Sequence, residues 1–198
     1  MAQKRYYLIS FIIIFALAAG VAVAGNYFEK RQDRKEIRQD KKELGATSAT
    51  YTKLSSNIDR WVEANLKGND KKAQNYEEVI LELIGADITS TRRMIEQHKA
   101  EVLRSTREYN SLHNTRVARC DDRADLREDV SDLNQAKQLL SVKERLASTL
   151  KQSTAFSNKY RLLGDYLEVL RRELGITRVE LAEDVIELHE DRAERRRK

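Results

Sequence analysis

The stretch FSNKYRLLGDYLEVLRREL, residues Phe156–Leu174, carries the clearest helical seam in this sequence. Its apolar and aromatic residues are spaced alternately by four and three positions, the pattern of the a and d positions of a coiled coil. The residues on this seam are Phe156, Tyr160, Leu163, Leu167, Leu170 and Leu174. Because such a stripe is hidden from water only against another helix, we interpret it as an interaction surface. Gly175 predicts a stop for this helix, and the capping-box pattern at Thr177–Glu180 predicts the start of the last one.

A weaker seam lies upstream. One row of residues recurs every seven positions, and a companion row mixes apolar with polar side chains. The first row is Leu81, Ile88, Ile95, Val102 and Tyr109, and the companion row is Ile84, Thr91, His98, Ser105 and Leu112. The polar run Asn110–Thr115 predicts a turn, because Asn, Ser and Thr compete with the helical backbone for hydrogen bonds. Residues 116–174 then return as a second arm, so the seams predict an extended antiparallel helical hairpin or a small coiled-coil bundle.

A shorter helix is expected before these arms, over residues 49–67. Its apolar residues recur at spacings of three and four, and we interpret Trp61, the only tryptophan, as a core residue. The run 45–50, which begins with a glycine, predicts a break before this helix. Gly68-Asn69-Asp70 predicts its end, with Asp70 placed to cap the helix that follows.

The composition indicates an all-α protein. The chain of 198 residues contains no Pro and only 7 Gly, and 35% of its residues are charged. Helix interiors disfavour both Pro and Gly, whereas turns and strands use them. Abundant Ala, Leu, Glu, Lys and Arg are typical of long helices and coiled coils. We therefore predict an all-α fold.

An apolar stretch near the N-terminus, Tyr6–Gly25, contains no charged residue. A helix of this length spans about 30 Å, the thickness of the hydrocarbon core of a bilayer. We interpret the stretch as a transmembrane anchor, although the basic start and the Ala22-Val23-Ala24 ending also fit a signal peptide. The predicted organisation is a membrane or signal helix over residues 1–28, a charged juxtamembrane helix over 29–44, and a helical body with a basic tail over 45–198.

Two signals disagree on which side of the cell membrane this single-pass protein presents its body. Lys4 and Arg5 precede the apolar stretch, whereas seven basic residues lie between Lys30 and Lys42. The positive-inside rule then places the body in the cytoplasm. The order of basic start, apolar run and A-x-A ending is instead that of an export signal. We favour the extracytoplasmic side by a small margin, and the cytoplasmic side stays open.

The sequence contains no motif for an enzyme, a cofactor or a metal. G-x-S-x-G, Walker and H-E-x-x-H patterns are absent, so we expect no catalytic, cofactor-binding or metal-ligating residues. His98, His113, His189 and Cys120 are spaced too irregularly for a metal-ligand motif. The net charge of +5 is concentrated at the chain ends, so no nucleic-acid partner is expected. The basic tail Arg195–Lys198 can contact an anionic lipid or an acidic partner.

Two functions fit these patterns. The first is a membrane-tethered helical scaffolding protein, a structural or assembly subunit of a membrane-associated complex. It would enter the bilayer through Tyr6–Gly25 and bind a helical protein, or a second copy of itself, through the Phe156–Leu174 seam. The alternative is a metal- or stress-responsive envelope sensor with a helical-hairpin domain, in which His98 and His113 bind the metal.

Overall fold

Helices make up the described part of this protein. The computed structural model describes residue 35, residues 37–110 and residues 118–197. These residues form four α-helices and no strand, which confirms the all-α prediction. The helices are α1 over residues 37–66, α2 over Asp70–Tyr109, α3 over Ala118–Gln152 and α4 over Phe156–Arg197.

Two of the predicted features lie outside the described residues. One is the N-terminal apolar stretch, Tyr6–Gly25. Among the helices that are described, none has an apolar segment long enough to cross a membrane. The other is most of the predicted turn, because residues 111–117 are not described. Helix α2 ends at Tyr109, just before that turn, and α3 begins at Ala118, just after it.

The chain divides into two compact units. Ala46–Gly175 form one unit, and the described residues on either side of it, residue 35 with residues 37–45 and 176–197, belong to the other. We call Ala46–Gly175 the bundle, because it contains both hydrophobic core clusters and all the contacts discussed below. In the second unit, residues 37–45 and 176–197 are helical.

Within the bundle, α2 and α3 form an antiparallel hairpin, as the seams predict. Thr91 of α2 accepts a hydrogen bond from Lys143 of α3. Fourteen residues further along α2, Ser105 donates to Asp129, which lies fourteen residues earlier in α3. These equal and opposite steps show that the two helices stay in register over about four helical turns.

Helices α1 and α4 complete an up-down-up-down arrangement of four helices. Contacts between α2 and α4 advance in the same direction along both helices, so these two are parallel. Contacts between α1 and α4 advance in opposite directions, so these two are antiparallel. The pairs that define the directions are Glu77–Lys159, Asp87–Tyr166, Trp61–Phe156 and Tyr51–Arg171.

The main hydrophobic core lies where these four helices meet. Leu54, Trp61 and Leu170 have exposed fractions of 0%, 2% and 0%, and this burial confirms Trp61 as a core residue. The other buried members are Ile58, Ala64, Ala73, Ile80, Ile84, Ala147, Leu150, Leu162, Leu163 and Tyr166. A smaller cluster of Ile95, Leu133 and Ala136 joins α2 to α3 further along the hairpin.

Gly68 shapes the turn between α1 and α2. Its φ of +65° lies in the left-handed region, which glycine adopts at little cost. The N–H of Gly68 donates to the carbonyl of Asn65 at 3.0 Å, and the N–H of Asn69 donates to that of Ala64 at 2.9 Å. These two bonds form a Schellman motif, which confirms the predicted helix end.

The predicted cap of α2 is wrong by one residue. The side-chain oxygen of Asn69, and not that of Asp70, accepts the backbone N–H of Lys72, at 3.2 Å. Asn69 therefore occupies the N-cap position, and Asp70 is the first residue of the helix. In that first turn the carboxylate of Asp70 still interacts favourably with the helix dipole.

Two other predicted boundaries are wrong, and one break has no counterpart in the prediction. Helices α1 and α4 continue through Gly45 and Gly175, where the sequence predicts breaks. A glycine inside a helix costs only about 1 kcal/mol relative to alanine, and packing along a long helix outweighs that cost. The opposite error lies in the second arm, because Ser153–Ala155 interrupt it and separate α3 from α4. Because of this interruption the helices form the bundle, one of the two architectures that the seams predict.

Candidate functional site

Helix α4 does not bury the predicted seam as a single stripe. The buried seam residues are Leu163, Leu170 and Leu174, and Leu167 packs partly buried against the main core. Phe156 and Tyr160, at the start of the helix, are 38% and 54% exposed. We call these two residues the aromatic face. Because α4 contacts α1, α2 and α3, its buried side is broader than an a/d stripe, and the leucines belong to the core of this chain.

The aromatic face is built on a buried ring. Trp61 of α1 stacks on Phe156 with 4.8 Å between the ring centroids and 25° between the ring planes. Phe156 in turn stacks on Tyr160, four residues on, with 6.3 Å between centroids and 13° between planes. The three rings form a continuous column that runs from the core to the surface. Each of the two outer rings therefore packs on one side against the ring before it.

A shallow groove of about 490 Å³ opens beside Phe156. Its apolar lining includes Trp61 and Leu81. Its charged lining consists of Asp70, Glu77, Glu78 and Lys159. Lys159 forms an ion pair with Glu77 across α4 and α2. The groove thus combines an aromatic wall with an excess of negative charge.

A second candidate site lies inside the bundle, where α2, α3 and α4 meet. We call it the charge cluster; its members are Asp87, Thr91, Lys143, Tyr166 and Glu173, and all five are buried. The Lys143 ammonium has no exposed surface. It lies 2.9 Å from Asp87 Oδ2 and 2.7 Å from Glu173 Oε2, and it donates to Thr91 Oγ1 at 2.9 Å. An ammonium has three protons, so each has an acceptor.

Tyrosine and threonine complete the charge cluster. The Tyr166 hydroxyl donates to Asp87 Oδ2 at 2.7 Å. The Thr91 hydroxyl donates to the backbone carbonyl of Asp87 at 3.1 Å, while its oxygen accepts from Lys143. Throughout the described ranges, every buried side-chain nitrogen or oxygen has a hydrogen-bond partner. The cluster is thus a satisfied polar network inside an apolar core, and it joins three helices.

The electrostatics of the charge cluster are unbalanced. It contains one basic side chain, Lys143, and two carboxyl groups. Burial raises the pKa of Glu173 above its ordinary value; Lys143 opposes that shift and Asp87 adds to it. Burial, together with the charges of Asp87 and Glu173, also raises the pKa of Tyr166, so its hydroxyl stays a neutral donor.

Sequence reasoning missed most of this cluster. In the sequence, Thr91 is only a polar member of the companion row, and the other four members carry no local motif. The seven-residue spacing contains a usable signal. Asp87 follows buried Ala73 and Ile80 at steps of seven residues, and Lys143 lies seven residues from buried Ala136 and seven from buried Leu150. A charged residue at a position where its heptad row is otherwise apolar is a candidate for a buried network.

The other candidates from the sequence form no metal site in the described residues. His98 Nδ1 contacts Glu101 Oε2 at 3.0 Å, one helical turn away. Across the described ranges, no three His, Cys, Asp or Glu side chains are grouped to hold a metal ion. His113 lies outside those ranges, and so do the side chains of His189 and Cys120. The side chains of the Arg195–Lys198 tail are not described either.

These features define a class: an all-helical bundle protein with an exposed aromatic face and a buried charge cluster. No protein-family model, no curated protein and no solved structure matches the chain.

Proposed function

We propose that this chain is a membrane-tethered helical scaffolding protein whose bundle binds a helical partner at the aromatic face. The observation that carries the proposal is the ring column. Phe156 and Tyr160 are exposed, yet Phe156 stacks on Trp61, which is 2% exposed, and Tyr160 stacks on Phe156. The few residues that supply most of the binding energy at interfaces are enriched in Trp, Tyr and Arg.

Preorganisation strengthens this argument. Ordering a flexible side chain at an interface costs about 0.5–1.5 kcal/mol, and rings that are already stacked avoid much of that cost. Phe156 stacks on the buried Trp61, and Tyr160 stacks on Phe156, so each exposed ring is supported on one side. The tyrosine hydroxyl adds a hydrogen-bonding group at the outer end of an otherwise apolar surface.

The groove beside the rings indicates the chemistry of the partner. Asp70, Glu77 and Glu78 outnumber Lys159 along it. A helix with one apolar side chain flanked by Arg would pack that side chain against the apolar side of the groove. The guanidinium of the Arg would then lie near the acidic side chains of the groove. Arg also stacks on aromatic rings, which Phe156 provides. The proposed partner is therefore an apolar helix with basic neighbours, in another protein or in a second copy.

The membrane part of the proposal rests on the Tyr6–Gly25 stretch. Its length and lack of charge suit a bilayer span, and the order of its flanks suits export. A bundle tethered in this way would serve as a structural or assembly subunit of a membrane complex. Arg195–Lys198 could add an electrostatic contact with anionic lipid headgroups or an acidic neighbour.

Photo-crosslinking tests the proposed face in the full-length protein in its own membranes. A photoreactive phenylalanine analogue replaces Tyr160 in one variant and Arg161 in its control. Arg161 is the next residue on the same helix and has 68% of its side chain exposed, but it points about 100° away around the helix axis. We expect a discrete adduct from position 160 and none from 161. Equal adducts from both positions, or no adduct from either, would disprove the aromatic face as the binding surface.

The mass of the adduct identifies the class of partner. An adduct of twice the chain mass indicates self-association, and another discrete mass indicates a different protein. Changing Asp70 and Glu78 to Asn and Gln should reduce the adduct yield if the partner is basic. An unchanged yield would show that the acidic groove is not part of the contact.

A further inference from the structure

Two glycines that the proposed function does not use lie where α1 and α4 reach the edge of the bundle. The compact unit Ala46–Gly175 begins one residue after Gly45 in α1 and ends at Gly175 in α4. Both glycines are helical, although the sequence predicts a break at each. The same feature thus occurs in two different helices at the edge of one compact unit.

Neither glycine is required by the shape of the chain. Among the described residues, Gly68 alone has a positive φ, so alanine can adopt the backbone conformation at Gly45 and Gly175. A carbon atom added at either position would meet no atom within 4 Å. Alanine therefore fits at both positions and would favour the helix about fivefold at each. The property that distinguishes glycine here is the weaker helix that it forms.

The packing next to the two glycines contains little apolar burial. In α1, the one buried side chain between Ile37 and Leu54 is Thr47. In α4, the one buried side chain after Leu174, among those described, is Thr177. Each glycine is therefore followed, two residues later, by a buried threonine instead of a large apolar side chain. Because little apolar surface is buried there, little free energy opposes a local opening of the helix.

Both glycines are followed by residues that can begin a helix. Thr47 and Ser48 come after Gly45, and the capping-box pattern Thr177–Glu180 comes after Gly175. Glycine is favoured just after the end of a helix, and Ser and Thr are favoured at the start of one. Each position therefore carries the stop signal of one helix and the start signal of another. If the helix opens there, the caps satisfy backbone N–H groups that the opening releases, so the open state costs less.

The two positions lie at the same level of the α1–α4 pair. Arg171 donates to the hydroxyl of Tyr51, and this bond joins the two antiparallel helices inside the bundle. The bundle ends at Ala46, five residues before Tyr51, and at Gly175, four residues after Arg171. Because the helices are antiparallel, both steps lead in the same direction along the pair, and they differ by only about 1.5 Å of helix rise. An opening in one helix therefore occurs beside the weak point of the other.

We propose that Gly45 and Gly175 form a paired hinge, at which α1 and α4 open together while the bundle stays folded. In the closed state both helices are continuous. In the open state a few backbone hydrogen bonds at each glycine are replaced by the caps that follow it. The hinge lets the two helices bend at the edge of the bundle, and it does so whatever partner the aromatic face binds.

Hydrogen exchange followed by mass spectrometry tests the hinge in the full-length chain in detergent micelles. A helical amide exchanges only when its hydrogen bond opens, so the exchange rate measures local opening. The hinge variant carries Gly45→Ala and Gly175→Ala. The control variant carries Gly85→Ala and Gly164→Ala, which replace two helical glycines inside the bundle that also have space for the added carbon.

In the wild type, segments 45–52 and 175–182 should exchange faster than segments 37–44 and 183–190, which lie nearer the helix ends. Gly45→Ala alone should slow exchange about fivefold in both of the faster segments, because the two positions open together. The hinge variant should slow exchange there about 25-fold. The control variant should leave both segments unchanged.

Three results would overturn the paired hinge. Exchange that is faster in 37–44 and 183–190 than at the glycines would indicate fraying from the helix ends instead. Unchanged exchange at 45–52 and 175–182 in the hinge variant would show that glycine does not set the opening. Slowing that is confined to the helix carrying a single substitution would show two independent flexible points.

Discussion

Removing the Lys143 ammonium should be among the most damaging single changes to the bundle. Lys143→Met keeps a flexible apolar chain of similar length but leaves Asp87 and Glu173 buried without their cation. Removal of one partner from a buried ion pair costs about 3–5 kcal/mol. Three contacts of 2.7–2.9 Å are lost from a side chain that has no exposed surface, so this range applies without a discount for solvent.

Protonation sets an upper bound on this penalty. If the stranded aspartate takes up a proton instead of staying charged, the cost at pH 7 is about 4 kcal/mol for a carboxyl with an ordinary aspartate pKa. That cost falls by about 1.4 kcal/mol for each pH unit towards acid. We therefore expect a loss of roughly 3–4 kcal/mol at pH 7 and a clearly smaller loss at pH 5.

Urea unfolding followed by Trp61 fluorescence measures both values in one protein. The control is the triple variant in which Asp87, Lys143 and Glu173 become Leu, Met and Leu. An apolar replacement of a whole buried ion cluster is often neutral or stabilising, so the triple variant should recover most of the loss. A loss below about 1 kcal/mol for Lys143→Met at pH 7, in the range of exposed ion pairs, would refute the reasoning.

Three further predictions test the turn, the cluster and the anchor. Gly68→Ala should lower Tm by about 2–4 °C, because alanine is strained at a φ of +65° even though no atom lies within 4 Å of the added carbon. The control is Gly85→Ala inside a helix, which should raise Tm. Equal shifts of Tm in the two variants would contradict this account. Tyr166→Phe should cost about 1–3 kcal/mol in urea unfolding, because buried Asp87 loses a donor at 2.7 Å; a neutral result would mean that water replaces the hydroxyl. Mass spectrometry of the chain from membranes should find Tyr6–Gly25 retained, and a mature N-terminus at Gly25 would show a cleaved signal peptide instead.

The helical class and the order of the helices could be predicted because they depend on local chemistry. The absence of Pro, the seven-residue rows and the glycine at position 68 act through the backbone near them. Helix boundaries that depend on competition between a local break signal and the surrounding helix were harder to predict. Gly45 and Gly175 stay helical because neighbouring turns outweigh a cost of about 1 kcal/mol, and Ser153–Ala155 break a stretch whose apolar spacing looked continuous.

The candidate sites were predictable only in part for a related reason. A single-helix pattern shows which residues share a stripe but not how many helices surround it. Phe156 and Leu170 belong to the same predicted seam, yet α4 exposes the first and buries the second, because three other helices pack around its middle. The exposure of the two outer rings of the column is therefore a consequence of the four-helix packing.

The amino-acid sequence by itself determined that this chain is helical, that it turns at Gly68, and that an uncharged stretch precedes a highly charged body. Those properties come from backbone preferences and from spacings within one helix. Only the tertiary structure decided that Asp87, Lys143 and Glu173 meet, since they come from three helices and the identity of their neighbours depends on how those helices pack. A charged side chain looks the same in sequence whether it faces water or the core; packing alone determines whether its charge must be balanced.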